Sequence, residues 1–114
     1  MNSATTWRTI FEKEILQAES ARAAGNEGMA RVCARRAAGV VAGEYLRRQG
    51  LSLSNPSAYA RLKFLSQIPQ TPPTIQEIVD HFLIKIDFNH SLPVRADLIA
   101  EARWLANELL SWPN

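Results

Sequence analysis

Five arginines lie between residues 26 and 50, with Arg47 and Arg48 at the far end, and the first three have the side-chain type and the spacing to bind an anion. Arg31 and Arg35 are four residues apart, so they share a face of a helix, and Arg36 lies beside them. Clustered guanidinium groups can bind a phosphate or the backbone of RNA. The same residues could instead form a solvated face that pairs with Glu27, Glu44 and acids of the preceding segment. The cluster lacks the exposed aromatic residues that single-strand binding usually uses.

The two histidines are the next candidates for chemistry. His81 follows Asp80 in an amphipathic segment, and His90 lies three residues after Asp87. Their spacing matches no metal-ligand motif. The helical period also turns His81 about 100° away from the face that Asp80 and Asp87 share. We therefore expect surface or capping roles for both histidines, and no metal site.

Nucleophilic catalysis and cofactor binding find little support. The chain has no glycine-rich phosphate loop, no GxSxG and no CxxC. Cys33 is the only cysteine, and its place on an apolar stripe predicts a small buried core residue. The serines lie near predicted helix ends or on polar faces, where serine commonly caps. The sequence therefore favours a binding protein over an enzyme, and no cofactor is expected.

The segment that carries the arginines is predicted to be the central helix. Asn26 is a good N-cap residue, and Gly50 stands where a helix would end. Two interior glycines, Gly39 and Gly43, cost about 1 kcal/mol each relative to alanine, which suggests close packing of neighbouring backbones. Apolar residues recur at helical spacing and predict the inward face: Met29, Val32, Cys33, Ala37, Val40, Val41 and Tyr45.

Four further amphipathic segments are predicted, one before this helix in the sequence and three after it. We predict helices over residues 6–24, 56–67 after an Asn55 cap, 74–86 and from 94 or 97 to 111. Thr74 and Glu77 have the spacing of a capping box at the start of the fourth helix. Short connections favour an antiparallel four-helix up-and-down bundle with one additional short helix, and hence an all-α fold. The connection after residue 24 makes the first two helices an antiparallel hairpin.

Length and charge indicate a single domain over residues 1–114, with residues 1–5 and 112–114 frayed. The net charge of +2 is too small to imply nucleic-acid binding by itself. Residues 1–72 have ten basic and five acidic side chains, whereas residues 73–114 have three and six, so the charge is unevenly distributed. No apolar run approaches the ~20 residues that span a membrane, and no signal-peptide pattern is visible. A cytoplasmic protein without membrane contact is expected.

The chain resembles the HEPN superfamily of small helical-bundle domains. The resemblance rests on TWRTIFEKEILQAESARAAGN, on EGMARVCARRAAGVVAGEYLRRQG that follows it, and on the closing RADLIAEARWLANELL. It implies a helical domain that often pairs with a second copy. Some members are ribonucleases with an arginine four to six residues before a histidine, and this pattern is missing here. Others are non-catalytic partners or substrate-binding subunits of nucleotidyltransferases, and the missing motif favours that branch.

Three functions remain open at this point. The first is a non-catalytic interaction module that pairs with itself or with a nucleotidyltransferase-type protein, with a nucleotide or RNA as a further candidate ligand. The second is a divergent metal-independent ribonuclease that acts as a dimer, in which Lys85 and His90 replace the Arg and His, although lysine lacks the forked contact to phosphate. The third is a helical scaffold without a nucleotide link. We expect a homodimer through the edges of the first two helices or around Trp104 and Trp112, and no RNA cleavage by the isolated protein.

Overall fold

A computed structural model describes residues 3–51, 53, 57–84 and 96–111, with side-chain burial from residue 6 onward. These residues form five helices and no strand, so the predicted all-helical fold is confirmed. The helices pack as a bundle: α1 (Ser3–Ala23), α2 (Glu27–Arg48), α3 (Ala58–Gln67), α4 (Pro73–Leu83) and α5 (Leu98–Leu110). None of the helices in this part of the chain combines the length and the apolarity that crossing a membrane requires.

A tight connection joins α1 to α2. Gly25 adopts a φ of 81°, a left-handed conformation that glycine tolerates best, and so the chain can leave α1 abruptly. The Asn26 side chain then accepts a hydrogen bond from the backbone N–H of Met29 at 3.0 Å, which caps α2 as the sequence predicts. Trp7, near the start of α1, lines the same surface as Val40 near the end of α2. The two helices therefore run in opposite directions.

The predicted central position of α2 is confirmed, because this helix packs against α1, α3 and α5. Its buried face differs in part from the predicted one. Met29 is 46% exposed and Val40 is half-buried, whereas Val41 is fully buried. The physical reason is that small side chains, not bulky ones, face the neighbouring helices. The buried residues of α2 are Ala30, Cys33, Ala34, Ala37, Ala38, Gly39, Val41, Ala42, Glu44 and Leu46.

A close approach between helices joins α2 to the start of α3. A Cβ atom added to Gly39 would overlap the Cβ of Ala58 and would lie 2.6 Å from its Cα. Only a residue without a side chain fits at this crossing, which explains the first of the two interior glycines of α2. The suggestion of close backbone packing at this position is confirmed.

Bulky side chains from the other helices complete the core around α2. The largest fully buried ones include Phe11 and Ile15 of α1, Leu62 and Leu65 of α3, and Phe82 of α4. They belong to one continuous apolar cluster that also includes residues of α5. Each helix therefore gives one apolar face to a single core.

Cys33 lies in the same cluster, 2% exposed, as the sequence predicts. Burial raises the pKa of its thiol above the ordinary value, and the nearby carboxylate of Glu14 on α1 raises it further. The thiol therefore stays protonated and packs as a small apolar group.

Three helix starts differ from the prediction. The first helix begins at Ser3 and not at residue 6, so it includes residues that were predicted to be frayed. Ser57, not Asn55, caps α3, and its Oγ accepts a hydrogen bond from the backbone N–H of Ala60 at 3.0 Å. Residues 55 and 56 lie outside the described residues. The capping box at Thr74 is wrong, because α4 begins one residue earlier, at Pro73, with no side-chain cap. Proline suits the first position of a helix, since its fixed φ is already helical and it has no N–H to satisfy.

The ends of α4 and α5 also refine the predicted bounds. The fourth helix ends at Leu83, three residues before the predicted end, because Ile84 is already extended with a ψ of 129°. The fifth starts after Asp97, the later of the two predicted starts. The Asp97 side chain accepts a hydrogen bond from the backbone N–H of Ala100 at 3.2 Å.

Ion pairs connect α5 to the hairpin. Arg22, at the end of α1, donates to Glu27 at 2.7 Å and to Asp97 at 3.0 Å, so one guanidinium contacts the starts of α2 and α5. Arg103 of α5 donates to Glu19 of α1 at 2.8 Å. Partial burial opposes ionisation of Asp97, but the hydrogen bonds from Arg22 and from the Ala100 N–H outweigh it and hold the pKa of the carboxyl below its ordinary value.

Candidate functional site: a cleft between α1, α2 and α3

An open cleft of about 300 Å³ lies where the start of α1 meets the second half of α2 and the first turn of α3. Its lining includes both apolar side chains and charged groups. This combination is typical of small-ligand sites, in which apolar walls surround a few oriented polar groups. The lining residues are Thr6, Trp7, Ile10, Val40, Gly43, Glu44, Arg47 and Arg61.

The second interior glycine of α2 positions an arginine in this cleft. A Cβ atom added to Gly43 would lie 3.1 Å from each of the atoms Cζ, Nε and Nη1 of Arg61. Because the three distances are equal, Gly43 lies under the flat face of the guanidinium group and not at its edge. The N–H groups of Arg61 lie in the plane of that group, so they point along the protein surface.

Arg61 also borders a second recess, of about 220 Å³, with Gly43 and Arg47. Its remaining lining is apolar, from Leu46, Leu51 and Leu53. A third recess of about 310 Å³, lined by Tyr45, Gln49, Leu51, Ile68 and Gln70, has no charged side chain. The guanidinium groups of Arg47 and Arg61 therefore border both the cleft and the second recess. The third recess differs from these two because neither arginine lines it.

A buried carboxylate holds the second arginine of the cleft. The side chain of Glu44 is 4% exposed. Its Oε1 accepts a hydrogen bond from Arg47 Nε at 3.0 Å, and its Oε2 accepts from Arg47 Nη2 at 2.7 Å and from Arg48 Nε at 2.9 Å. The hydrogen bonds from Arg47, followed by those from Arg48, hold the pKa of Glu44 below its ordinary value although burial opposes them. Pairing of helix 2 arginines with Glu44 was one of the predicted alternatives, and it is confirmed here for Arg47 and Arg48.

This lowered pKa makes stability depend on pH. A carboxyl group whose pKa is lower when folded stabilises the fold above its unfolded pKa, about 4.3 for glutamate, and the effect is lost as pH falls through the folded pKa. Glu44→Gln is therefore expected to lower the free energy of unfolding by about 1 kcal/mol at pH 7 and by much less near pH 3. Urea unfolding at both pH values measures the difference. An equal loss at the two pH values would contradict ionic pairing as the cause.

The balance of charge at the cleft is positive. Arg47 and Arg48 share one carboxylate, that of Glu44. Within the described residues, the structure records no carboxylate or other acceptor that pairs with Arg61. An anion in the cleft would therefore meet two guanidinium groups and only one acidic side chain, which is already bonded.

The sequence-predicted arginines lie elsewhere on α2. Arg36 is exposed, Arg31 and Arg35 are half-buried, and none of the three lines the cleft. Arg36 precedes Val40 of the cleft wall by four residues, so it extends the same outward stripe of the helix. Anion binding by Arg31, Arg35 and Arg36 stays a prediction.

Of the two histidine candidates, His81 lies in the described part of the chain and His90 lies outside it. His81 Nδ1 lies 2.9 Å from both carboxylate oxygens of Glu101, which links α4 to α5. Lys85 and His90, the weak catalytic candidates, lie outside the described residues, as does Trp112. In the part of the chain that the structure describes, no three His, Cys, Asp or Glu side chains lie close enough to hold a metal ion.

Sequence reasoning missed the residues that form the cleft. Arg61 is far from Gly43 in sequence, and only the packing of α3 on α2 brings the two together. A local signal existed in Glu44, Arg47 and Arg48, because spacings of three and four residues allow ion pairs on a helix.

Comparison of the chain with protein-family models, with known proteins and with solved structures gave no match.

Proposed function

We propose that this protein is a non-catalytic helical binding module whose cleft between α1, α2 and α3 binds an anionic group of its partner. The observation that supports this proposal is the guanidinium of Arg61, which lies flat on Gly43 and has no described acceptor. Arg47, oriented by Glu44, is the second cation of the cleft. An anion there would replace water at groups that are already in place, so little ordering of side chains opposes binding.

We also propose a HEPN-like arrangement for the module, with α1, α2, α4 and α5 as an antiparallel up-and-down bundle and α3 as the additional short helix. A partner of the nucleotidyltransferase type fits this proposal, since such proteins handle phosphate-containing substrates that suit a cationic cleft. A cytoplasmic location is part of the same proposal. Copurification of such a partner with the full chain would support it, and absence of such a partner would contradict it. Loss of the partner in Arg61→Gln would support binding through the cleft, and a partner retained by that variant would contradict binding there.

Self-association is the third part of the proposal. Leu16 of α1 and Met29 of α2 are 61% and 46% exposed, and a second copy could cover such side chains. The basic first part and the acidic last part of the chain also attract each other between copies, although salt screens this term. We expect a homodimer, with twice the monomer mass of 12.7 kDa in sedimentation equilibrium at micromolar concentration. A mass equal to the monomer's would contradict this part and leave the cleft unaffected.

Binding of inorganic phosphate tests the cleft itself. Titration followed by two-dimensional NMR is expected to shift the backbone signals of Gly43 and its neighbours. Arg61→Gln should weaken phosphate binding about tenfold, because it removes a charged donor. Lys63→Gln is a matched control, since it removes one positive charge from the same helix at an exposed position outside the cleft. Arg36→Gln tests the sequence-predicted cluster. A loss of binding in Arg36→Gln but not in Arg61→Gln would contradict the cleft as the site.

A further inference from the structure

We infer that the natural ligand group is a small organic acid, a carboxylate or phosphate monoester joined to a compact apolar group. Its oxyanion would lie against the edge of the Arg61 guanidinium, and its apolar part would lie against Ile10 and Val40. This inference rests on the proposed function, because it assigns a chemical class of ligand to the same cleft. Three properties of the cleft support it: the orientation of Arg61, the apolar side chains in the same lining, and the volume.

The orientation of Arg61 favours a forked contact. Its flat face is covered by Gly43, so its N–H groups are available only at the edges. Two parallel N–H groups at one edge of a guanidinium match the two oxygens of a carboxylate or phosphate. A single acceptor atom would have to share both N–H groups at less linear angles, whereas two oxygens accept one each. The geometry therefore favours an oxyanion with at least two oxygens.

The apolar wall explains why the acid should be organic. Ile10 is 44% exposed at the cleft, although a large aliphatic side chain gains from being covered. Val40, half-buried on α2, lines the same cleft. Inorganic phosphate would leave both side chains in contact with water. A ligand with an apolar group next to its oxyanion would cover them while it binds Arg61.

The volume limits the size of the apolar group. About 300 Å³ is at the lower end of the range for small-molecule sites, roughly 300–1,000 Å³. One ring or a short branched chain, together with the oxyanion, is therefore the size that the cleft accommodates. The neighbouring recess of about 220 Å³ beyond Arg61 and Arg47 could receive a second substituent.

Calorimetric titrations with four probes test this inference: phenyl phosphate, benzoate, inorganic phosphate and the neutral phenol. We expect phenyl phosphate to bind about tenfold more tightly than inorganic phosphate, because the ring covers apolar surface that phosphate leaves exposed. Phenol should bind too weakly to measure. Comparison of benzoate with phenyl phosphate distinguishes carboxylate ligands from phosphate monoesters. If either one binds more tightly than inorganic phosphate, the result supports an organic acid.

Variants of the cleft test its contact with the oxyanion and its contact with the apolar group separately. Ile10→Ser should remove most of the advantage of phenyl phosphate over inorganic phosphate. Arg61→Lys keeps the charge but loses the fork, so binding of both anions should weaken. Gly43→Ala should weaken both anions as well, because the new Cβ displaces the guanidinium while Arg61 itself remains. Thermal unfolding of each variant confirms that it is folded.

Two results would overturn the inference. Equal affinity for phenyl phosphate and inorganic phosphate, with no effect of Ile10→Ser but loss in Arg61→Gln, would remove the organic acid and leave the anion-binding module intact. Absence of binding for every anion would remove both the inference and the anion-binding cleft of the proposed function.

Discussion

Val41→Asp is expected to unfold the protein. Val41 is fully buried in a cluster of apolar side chains from α2 and its neighbours. A carboxylate there would lose its hydration without gaining a described partner, at a cost of several kcal/mol. Single domains have only about 5–15 kcal/mol of total stability, so one such change can remove most of it. Circular dichroism melting and the loss of dispersed NMR signals measure the outcome.

Val40→Asp is the matched control for this prediction. The two positions are adjacent and the chemical change is the same, but Val40 is half-buried and lines the cleft beside Arg47 and Arg61. The new carboxylate would remain hydrated and close to guanidinium groups. We expect this variant to stay folded with a melting temperature near that of the unaltered protein. Unfolding of Val40→Asp together with normal stability of Val41→Asp would reverse the assignment of the buried face of α2.

Gly39→Ala is expected to destabilise the protein by about 2 kcal/mol, although alanine is the better helix former. The added methyl group would overlap Ala58, and it would meet that residue's Cα at 2.6 Å. A backbone atom cannot rotate away as a flexible side chain can, so α3 must shift as a unit. Urea unfolding monitored by tryptophan fluorescence gives the difference in free energy.

Two variants make this test specific. Gly28→Ala makes the same chemical change in the same helix where the nearest atom is 3.8 Å away, so it should be neutral or stabilising. Ala58→Gly, combined with Gly39→Ala, removes one of the two overlapping methyl groups and should restore part of the lost stability. Coupling between the two sites in this double-mutant cycle is expected because they are in contact. Simple additivity would show that the helices cross elsewhere.

Helical periodicity predicted the five helices and the central place of α2, because each helix has an apolar face long enough to recognise. The exact inward face of α2 was harder to predict. Bulky apolar residues such as Met29 and Val40 suggested one orientation, but alanines and glycines determine how closely α1, α3 and α5 approach. Hydrophobicity ranks valine above alanine, whereas helix-to-helix distance favours the smaller residue.

The exact helix boundaries and the cleft could not be predicted from the sequence. Ser57 and Asn55 are both good capping residues, and no local rule shows that Ser57 is the cap of α3. The sequence predicted that arginines bind an anion, and this stays a prediction. Which arginine faces a cleft depends on contacts distant in sequence, such as that between Gly43 and Arg61.

The buried thiol provides a native reporter of local opening. Cys33 is the only cysteine, it is 2% exposed, and its raised pKa makes the reactive thiolate scarce. A thiol reagent can therefore modify the native protein only when the helices packed around Cys33 separate. The labelling rate divided by the rate for the unfolded chain gives the equilibrium constant of that opening, and its logarithm gives the free energy, provided reclosing is faster than labelling. Local opening of the helices around α2 thus becomes measurable without any engineered probe.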